Sequence, residues 1–129
     1  FIGQTTSNPC SISQWAAVAA LNGPHDFLND WRSQYAARGR AMTQALNQAG
    51  LPCAVPDGAF YVFADCRAVM ASKGYATDAD LAMVLLEQAG VATVPGSAFY
   101  APGHLRLSYA ASMAEITQAC ANIAAFCAE

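Results

Sequence analysis

The sequence predicts an α+β fold, in which two helices precede a ββαββα segment and helices pack on a small mixed or antiparallel sheet as two layers. Apolar residues recur every three or four positions through most of the first 50 residues. Short β-branched or alternating runs, bounded by glycine and proline, then separate two further helical patterns. The length of 129 residues suits one hydrophobic core. We therefore expect a single domain over residues 1–129.

The first two helices are delimited by glycine and proline. Asn8 can cap a helix whose first turn contains Pro9, and Gly23 would end it. A second helix is predicted over residues 24–50. Its ~26 residues would span about 39 Å at 1.5 Å each, more than a compact domain of this size requires. This long helix is therefore expected to extend to another domain.

The sheet is predicted from four short runs. Residues 53–55 and 59–64 flank a turn-forming Pro-Asp-Gly segment, which favours a hairpin. The other two strands are predicted at 91–94 and 104–109. Each of the remaining helices begins at a predicted capping box, at Thr77–Asp80 and at Ser112–Glu115, where dipole and capping account for the acidic residues.

Composition excludes several classes of function. Charged residues make up 12 % of the chain and hydrophobic residues 55 %, where soluble domains average about 25 % charged. So little charge indicates that part of the surface is an interface. A net charge of −3 and scattered arginines argue against nucleic acid as a partner. The longest apolar run, residues 15–21, is too short to cross a membrane, and no signal segment opens the chain, so a cytoplasmic protein is expected.

Cysteine and histidine spacing gives no metal or disulfide pattern. The five cysteines are odd in number and form no Cys-x-x-Cys pair, which favours small core residues. His25 and His104 lack neighbouring ligands at metal-binding spacing, so no metal is expected. The only lysine, Lys73, lies in a loop-like stretch and is expected to be solvated. It does not suit a Schiff base, which needs a dry pocket.

Arg106 is the strongest candidate for a binding residue. Alternation from His104 to Tyr109 places Leu105, Leu107 and Tyr109 on one face and leaves Arg106 on the other. A guanidinium offers two parallel donors that match a carboxylate. The alternative is an intradomain salt bridge to Glu115 or Asp65.

Four blocks of the sequence resemble, in order, the C-terminal small domain of fold-type I, pyridoxal-phosphate-dependent aminotransferases of class I/II, the aspartate aminotransferase family. The four blocks are Thr6–Trp15, Leu21–Pro24, Asp57–Phe63 and Ala89–Phe99. The strand that carries Arg106 follows the last of them. The resemblance implies that Arg106 binds the α-carboxylate of an amino acid or 2-oxo acid substrate. It also implies the cofactor pyridoxal 5′-phosphate, a large cofactor-binding domain absent from this chain, and a homodimer in the full-length enzyme.

The resemblance makes weaker statements about other residues. It suggests that Ser7 and Asn8 lie at the dimer interface near the partner's cofactor phosphate, although helix capping would equally explain them. The aromatic residues Phe60, Tyr61 and Phe99 could line the substrate entrance or simply pack in the core. Without a Schiff-base lysine the isolated chain is expected to be inactive. The alternative function is a stand-alone α+β binding or assembly module with no catalysis.

Overall fold

The computed structural model describes residue 3 and residues 7–128, which divide into two units, residues 1–32 and 33–129. The helices and strands are α1 (Ser11–Asn22), α2 (Phe27–Gln48), β1 (Tyr61–Asp65), α3 (Arg67–Lys73), α4 (Asp78–Ala89), β2 (Val94–Pro95), β3 (His104–Ser108) and α5 (Met113–Ala128). A 3₁₀ turn, Gly96–Phe99, lies between β2 and β3. Among the described residues, five α-helices of seven residues or more and a three-stranded sheet confirm the predicted α+β class.

In the first unit, α1 begins later than predicted. Its N-cap is Cys10, in extended conformation and without a side-chain capping bond, so the prediction that Asn8 caps this helix is wrong. The side chain of Gln14 instead donates to the Pro9 carbonyl at 2.7 Å, which satisfies a group that precedes the helix. Gly23 ends α1 as predicted, donating its N–H to the Ala19 carbonyl at 2.9 Å.

Helix α2 has 22 residues and is shorter at both ends than the predicted 24–50. A turn precedes the helix, in which the Leu28 N–H donates to the His25 carbonyl at 3.0 Å. Gly50 follows the helix in the left-handed conformation, with φ 81. The boundary between the two units falls inside this helix, at residue 32. An interdomain role for α2 stays a prediction.

The sheet has the order β1-β3-β2, and both pairs are antiparallel. The predicted hairpin is wrong, because residues 53–55 form no strand and β1 pairs with β3. Cys53 is instead fastened to α2, where its N–H donates to Asn47 Oδ1 at 3.1 Å. The predicted strand 91–94 is also shortened, because the Val91 N–H bonds to the Leu85 carbonyl at the end of α4.

Helix α3 is missing from the sequence prediction. It places Lys73 in a last helical turn rather than in a loop, and Gly74 ends it with φ 77. Both predicted capping boxes are confirmed. Thr77 and Asp80 exchange hydrogen bonds at the start of α4, and Ser112 and Glu115 do so before α5.

The core lies between the helices and one face of the sheet. Its fully buried side chains come from α2, β1, β3, α4 and α5 and from the connections between them; they include Leu46, Leu51, Val62, Cys66, Leu81, Leu85, Leu105 and Ile123. Burial raises the pKa of the Cys66 thiol to about 11, which fits its role as a core residue. Cys10, by contrast, is exposed. No helix among the described residues combines the length and apolar character that crossing a membrane requires.

Candidate functional site

Arg106 lies at the middle of the central strand. Its Cα is paired with Phe63 of β1 on one side and with Val94 of β2 on the other. Leu105 and Leu107 are buried, whereas Arg106 is only partly buried, which confirms the predicted alternation. The strand thus directs the guanidinium away from the core.

Two aromatic rings hold the Arg106 side chain. Its guanidinium carbon lies 4.4 Å from the ring centroid of Tyr61 and 4.4 Å from that of Phe99. Such cation–π contacts restrain the position of the cation while supplying no conventional hydrogen-bond acceptor to its N–H donors. The guanidinium is therefore positioned by its neighbours without being neutralised by them.

No acid of the described part of the chain is paired with Arg106. Within residues 7–128 the only ion pair joins Arg67 and Asp65. Hydrogen bonds from Arg67 lower the pKa of Asp65 to about 2. Hydrogen bonds from the Ser112 hydroxyl and from the Ser112 N–H, the latter at 2.8 Å, lower the pKa of Glu115. Both acids considered for an intradomain salt bridge thus bond elsewhere.

The residues around Arg106 form an exposed aromatic face, which we define as Tyr61, Phe63, Phe99 and His104. The rings of Phe63 and His104 stack at 5.1 Å with an interplanar angle of 12°. Phe63 and Phe99 meet edge to face at 6.5 Å. Tyr61, Phe63 and Phe99 are 36 %, 39 % and 42 % exposed, so they are not core residues. Exposed apolar rings around one cation suit a small anion that carries apolar groups.

The loop after β2 brings Phe99 to Arg106, and it depends on a glycine. A Cβ at Gly96 would lie 2.3 Å from the Ala101 carbonyl oxygen and 2.9 Å from that of His104. Both contacts are with backbone, so the chain could not adjust by moving a side chain. Only glycine allows the loop to fold this tightly.

Asp78 is a site residue that the sequence did not reveal. Its carboxylate is 2 % exposed and accepts the Ser97 N–H at 2.8 Å and the Gly103 N–H at 3.1 Å. Burial by itself raises the pKa of Asp78, but hydrogen bonds from the Ser97 N–H and hydroxyl and from the Gly103 and Ala79 N–H groups outweigh it, and the net shift is downward. Its place in the first turn of α4 suggested only a helix-dipole contribution.

Comparison with known proteins identifies the family. The sequence profile of the family "Aminotransferase class I and II" matches residues 1–123. The chain belongs to this aminotransferase family. The resemblance carried by the four sequence blocks is thereby confirmed.

The chain is similar to several members of the family. It is 48 % identical to an aspartate aminotransferase of Rhizobium meliloti (strain 1021), covering 96 % of this chain and 32 % of the relative. A probable aspartate/prephenate aminotransferase of Rhizobium leguminosarum bv. phaseoli is 44 % identical, covering 97 % and 33 %. The chain therefore spans about a third of the length of the curated relatives it matches.

Solved structures give the same result. The chain superposes on an aspartate aminotransferase from Rhizobium meliloti with a TM-score of 0.89 at 46 % identity, covering 98 % of this chain and 33 % of that one. A Thermus thermophilus aspartate aminotransferase determined with maleate gives 0.84 at 37 % identity, covering 95 % and 31 %. The fold of the small domain is thus that of class I aminotransferases.

The described residues do not by themselves form a pyridoxal phosphate site. An aminotransferase of this type needs a lysine amine for the cofactor, and the only lysine of this chain points elsewhere. The Lys73 ammonium lies 4.7 Å from the Phe126 ring centroid, between α3 and α5. The single lysine of this chain therefore packs against an aromatic ring and does not suit a covalent bond to the cofactor.

Ser7 and Asn8 lie in the first unit, and both are exposed. Neither occupies the N-cap of α1, so the capping explanation for them no longer applies. Their proposed place at a dimer interface stays a prediction.

Proposed function

We propose that this chain forms the C-terminal small domain of a pyridoxal-phosphate-dependent aminotransferase and that Arg106 binds the α-carboxylate of its amino acid or 2-oxo acid substrate. The observation that supports this most strongly is the state of Arg106. Its guanidinium contacts the rings of Tyr61 and Phe99, with no carboxylate of residues 7–128 in ion-pair contact. A positioned and unneutralised cation is a binding site for an anion.

The geometry favours a planar carboxylate over other anions. The guanidinium presents its N–H donors in a fixed plane that matches two carboxylate oxygens. Contacts with two rings limit the rotation of that plane, so the bound acid would have one preferred orientation. Orienting the acid group fixes where the amino-bearing carbon of the substrate lies, which is what a positioning residue contributes to amino transfer.

The remaining parts of the enzyme would come from outside these 129 residues. The relatives are about three times as long as the matched region. We therefore assign the cofactor lysine and the cofactor-binding surface to a large domain, and we propose that the full-length protein is a cytoplasmic homodimer of amino acid metabolism. The low charge of the chain and the exposed Ile12, Trp15 and Leu21 of α1 support additional protein contacts.

The isolated chain is proposed to be inactive. Incubated with pyridoxal phosphate and an amino acid, it should form no oxo acid and no stable protein-bound chromophore. Turnover by the isolated chain would contradict this assignment. If the chain were instead a binding module, the complete protein would show no transaminase activity either.

The test of Arg106 uses the complete protein and the dicarboxylate maleate, which does not react. Arg106→Lys keeps the charge but loses the two-donor geometry, so we expect the Kd of maleate to rise at least about tenfold by calorimetry. Arg67→Lys is the matched control, because Arg67 is exposed and already paired with Asp65. Equal affinity in the wild type and the Arg106→Lys protein would overturn the proposed role.

A further inference from the structure

We propose that Asp78 is a positioning residue for substrate binding, and that its buried carboxylate holds Phe99 against the Arg106 guanidinium. This inference rests on the proposed function of Arg106. It assigns a purpose to a charged side chain that the fold buries and that helix capping does not explain.

The burial of Asp78 is the first part of the argument. A carboxylate taken out of water is destabilising unless hydrogen bonds replace its hydration. Asp78 is 2 % exposed, and the donors that replace its hydration include the Ser97 and Gly103 N–H groups. Those two donors lie near the two ends of the loop that joins β2 to β3. One carboxylate oxygen therefore binds both ends of the loop and holds them close together.

Capping of α4 does not require Asp78. The capping box uses Thr77 and Asp80, whose reciprocal bonds measure 3.1 Å in each direction. Asp80 is exposed. Within the described residues, its side-chain hydrogen bonds go to Thr77, and none goes to the loop between β2 and β3. The helix thus has a complete cap without the buried acid.

The connection from Asp78 to Phe99 is short. Ser97, the first donor, belongs to the same 3₁₀ turn as Phe99, and the Tyr100 N–H closes that turn on the Ser97 carbonyl at 3.2 Å. Fixing Ser97 therefore fixes the backbone that carries the Phe99 ring. That ring lies 4.4 Å from the guanidinium carbon of Arg106.

The second donor restrains the other side of the contact. Gly103 immediately precedes β3, and its carbonyl accepts the Cys66 N–H at 2.9 Å. Its N–H bond to Asp78 therefore anchors the start of the strand that carries Arg106. Asp78 bonds to both backbone segments that determine the distance between ring and cation.

The first experiment measures maleate affinity in the complete protein. Asp78→Asn keeps the shape of the side chain but removes its charge and one of its acceptor oxygens, and it should raise the Kd of maleate roughly two- to fivefold, the range expected for one cation–π contact. KM for the amino acid should rise by the same factor, with kcat within about twofold, since the effect is on binding. Asp80→Asn is the matched control and should leave Kd unchanged, although it weakens the cap of α4.

A double-mutant cycle then separates positioning from general destabilisation. Phe99→Leu removes the ring, so adding Asp78→Asn to it should change Kd by less than about 1.5-fold. Additive effects of the two substitutions would overturn the proposal, as would an unchanged Kd in Asp78→Asn. If Asp78→Asn does not fold, Ser97→Pro takes its place in the cycle, because it removes both Ser97 donors to Asp78, the N–H and the hydroxyl, at the second residue of the 3₁₀ turn.

The two proposals fail in different ways. If Arg106→Lys leaves maleate binding unchanged, the function proposed for Arg106 is wrong. If Arg106→Lys weakens binding while the cycle with Asp78 is additive, only the positioning role of Asp78 is wrong.

Discussion

The Arg106 guanidinium carbon lies 4.4 Å from the centroid of the Tyr61 ring, although the two residues belong to different strands and are not Cα partners. Arg106 is paired with Phe63, and Tyr61 is paired with Ser108. Long side chains on one face of an antiparallel pair reach such diagonal neighbours. The Arg106 cation is thus contacted by Tyr61 from the neighbouring strand and by Phe99 from the 3₁₀ turn after β2.

Tyr61 should contribute through its ring and not through its hydroxyl group. We expect Tyr61→Phe to keep the wild-type Kd for maleate, and Tyr61→Leu to raise that Kd roughly two- to fivefold, because only the second loses the cation–π contact. Calorimetry on the complete protein measures both. Equal losses in the two variants would show that the hydroxyl group, and not the ring, is responsible.

Neighbouring residues of β3 should separate folding from binding. Leu105 is fully buried, so Leu105→Ala should lower the free energy of unfolding by about 2–5 kcal/mol. Arg106→Met should change it by less than about 1 kcal/mol, because Arg106 has no ion pair within residues 7–128 and methionine also packs on aromatic rings. The same Arg106→Met substitution should abolish maleate binding. Denaturant unfolding and calorimetry give the two values, and a large stability loss at Arg106 would indicate a structural role.

Local signals in the sequence were sufficient for the starts of α4 and α5. Thr77 with Asp80 and Ser112 with Glu115 lie three residues apart, so each capping box is encoded within one turn. The outward direction of Arg106 was also predictable, because alternation along one strand is a local property. Helix α3 was missed because its seven residues are too few to show a helical period.

The contacts that build the site are nonlocal, and the sequence could not reveal them. The predicted hairpin is wrong because β1 pairs with β3 and not with the segment that precedes it in the sequence. Helices α3 and α4 separate β1 from β3 along the chain. Asp78 is separated in the same way from Ser97 and Gly103. Its neighbour Asp80 explained the helix start, so no local pattern remained to indicate that Asp78 is buried.

Stability should fall in acid as Asp65 becomes protonated. Hydrogen bonds from Arg67 lower the pKa of Asp65 from 3.8 to about 2. A carboxylate with a lowered pKa stabilises the fold above its ordinary pKa and loses that contribution as pH falls, here between about 4 and 2. Thermal unfolding across this range should show a shallower decline in Asp65→Asn than in the wild type. Part of the decline should remain, because the pKa of Asp78 is also lowered.

Salt provides the control for this pH effect. Arg67 is largely exposed, so added salt should screen its attraction for Asp65 and reduce the difference between the wild type and Asp65→Asn. The buried Asp78 should be much less sensitive. Identical pH profiles for the two proteins at low salt would contradict the assigned role of the Asp65–Arg67 pair.

Gly103 should be more sensitive to substitution than a glycine of similar conformation elsewhere. Its φ is 80, and a Cβ there would lie 2.6 Å from Arg67 Cγ. Gly74 has φ 77, but a Cβ at that position would meet nothing within 4 Å. We expect Gly74→Ala to cost about 1 kcal/mol of unfolding free energy from backbone strain alone. Gly103→Ala should cost about 2–3 kcal/mol, because the Arg67 side chain must also move.

The Arg67 contribution can be isolated by combining substitutions. In an Arg67→Ala background the clash is absent, so Gly103→Ala should cost no more than Gly74→Ala does in the same background. Denaturant unfolding of six proteins measures this difference: the parent, Gly103→Ala and Gly74→Ala, each with and without Arg67. An undiminished cost at Gly103 would mean that the added methyl group acts on the loop itself, through the Gly103 N–H bond to Asp78, and not through Arg67.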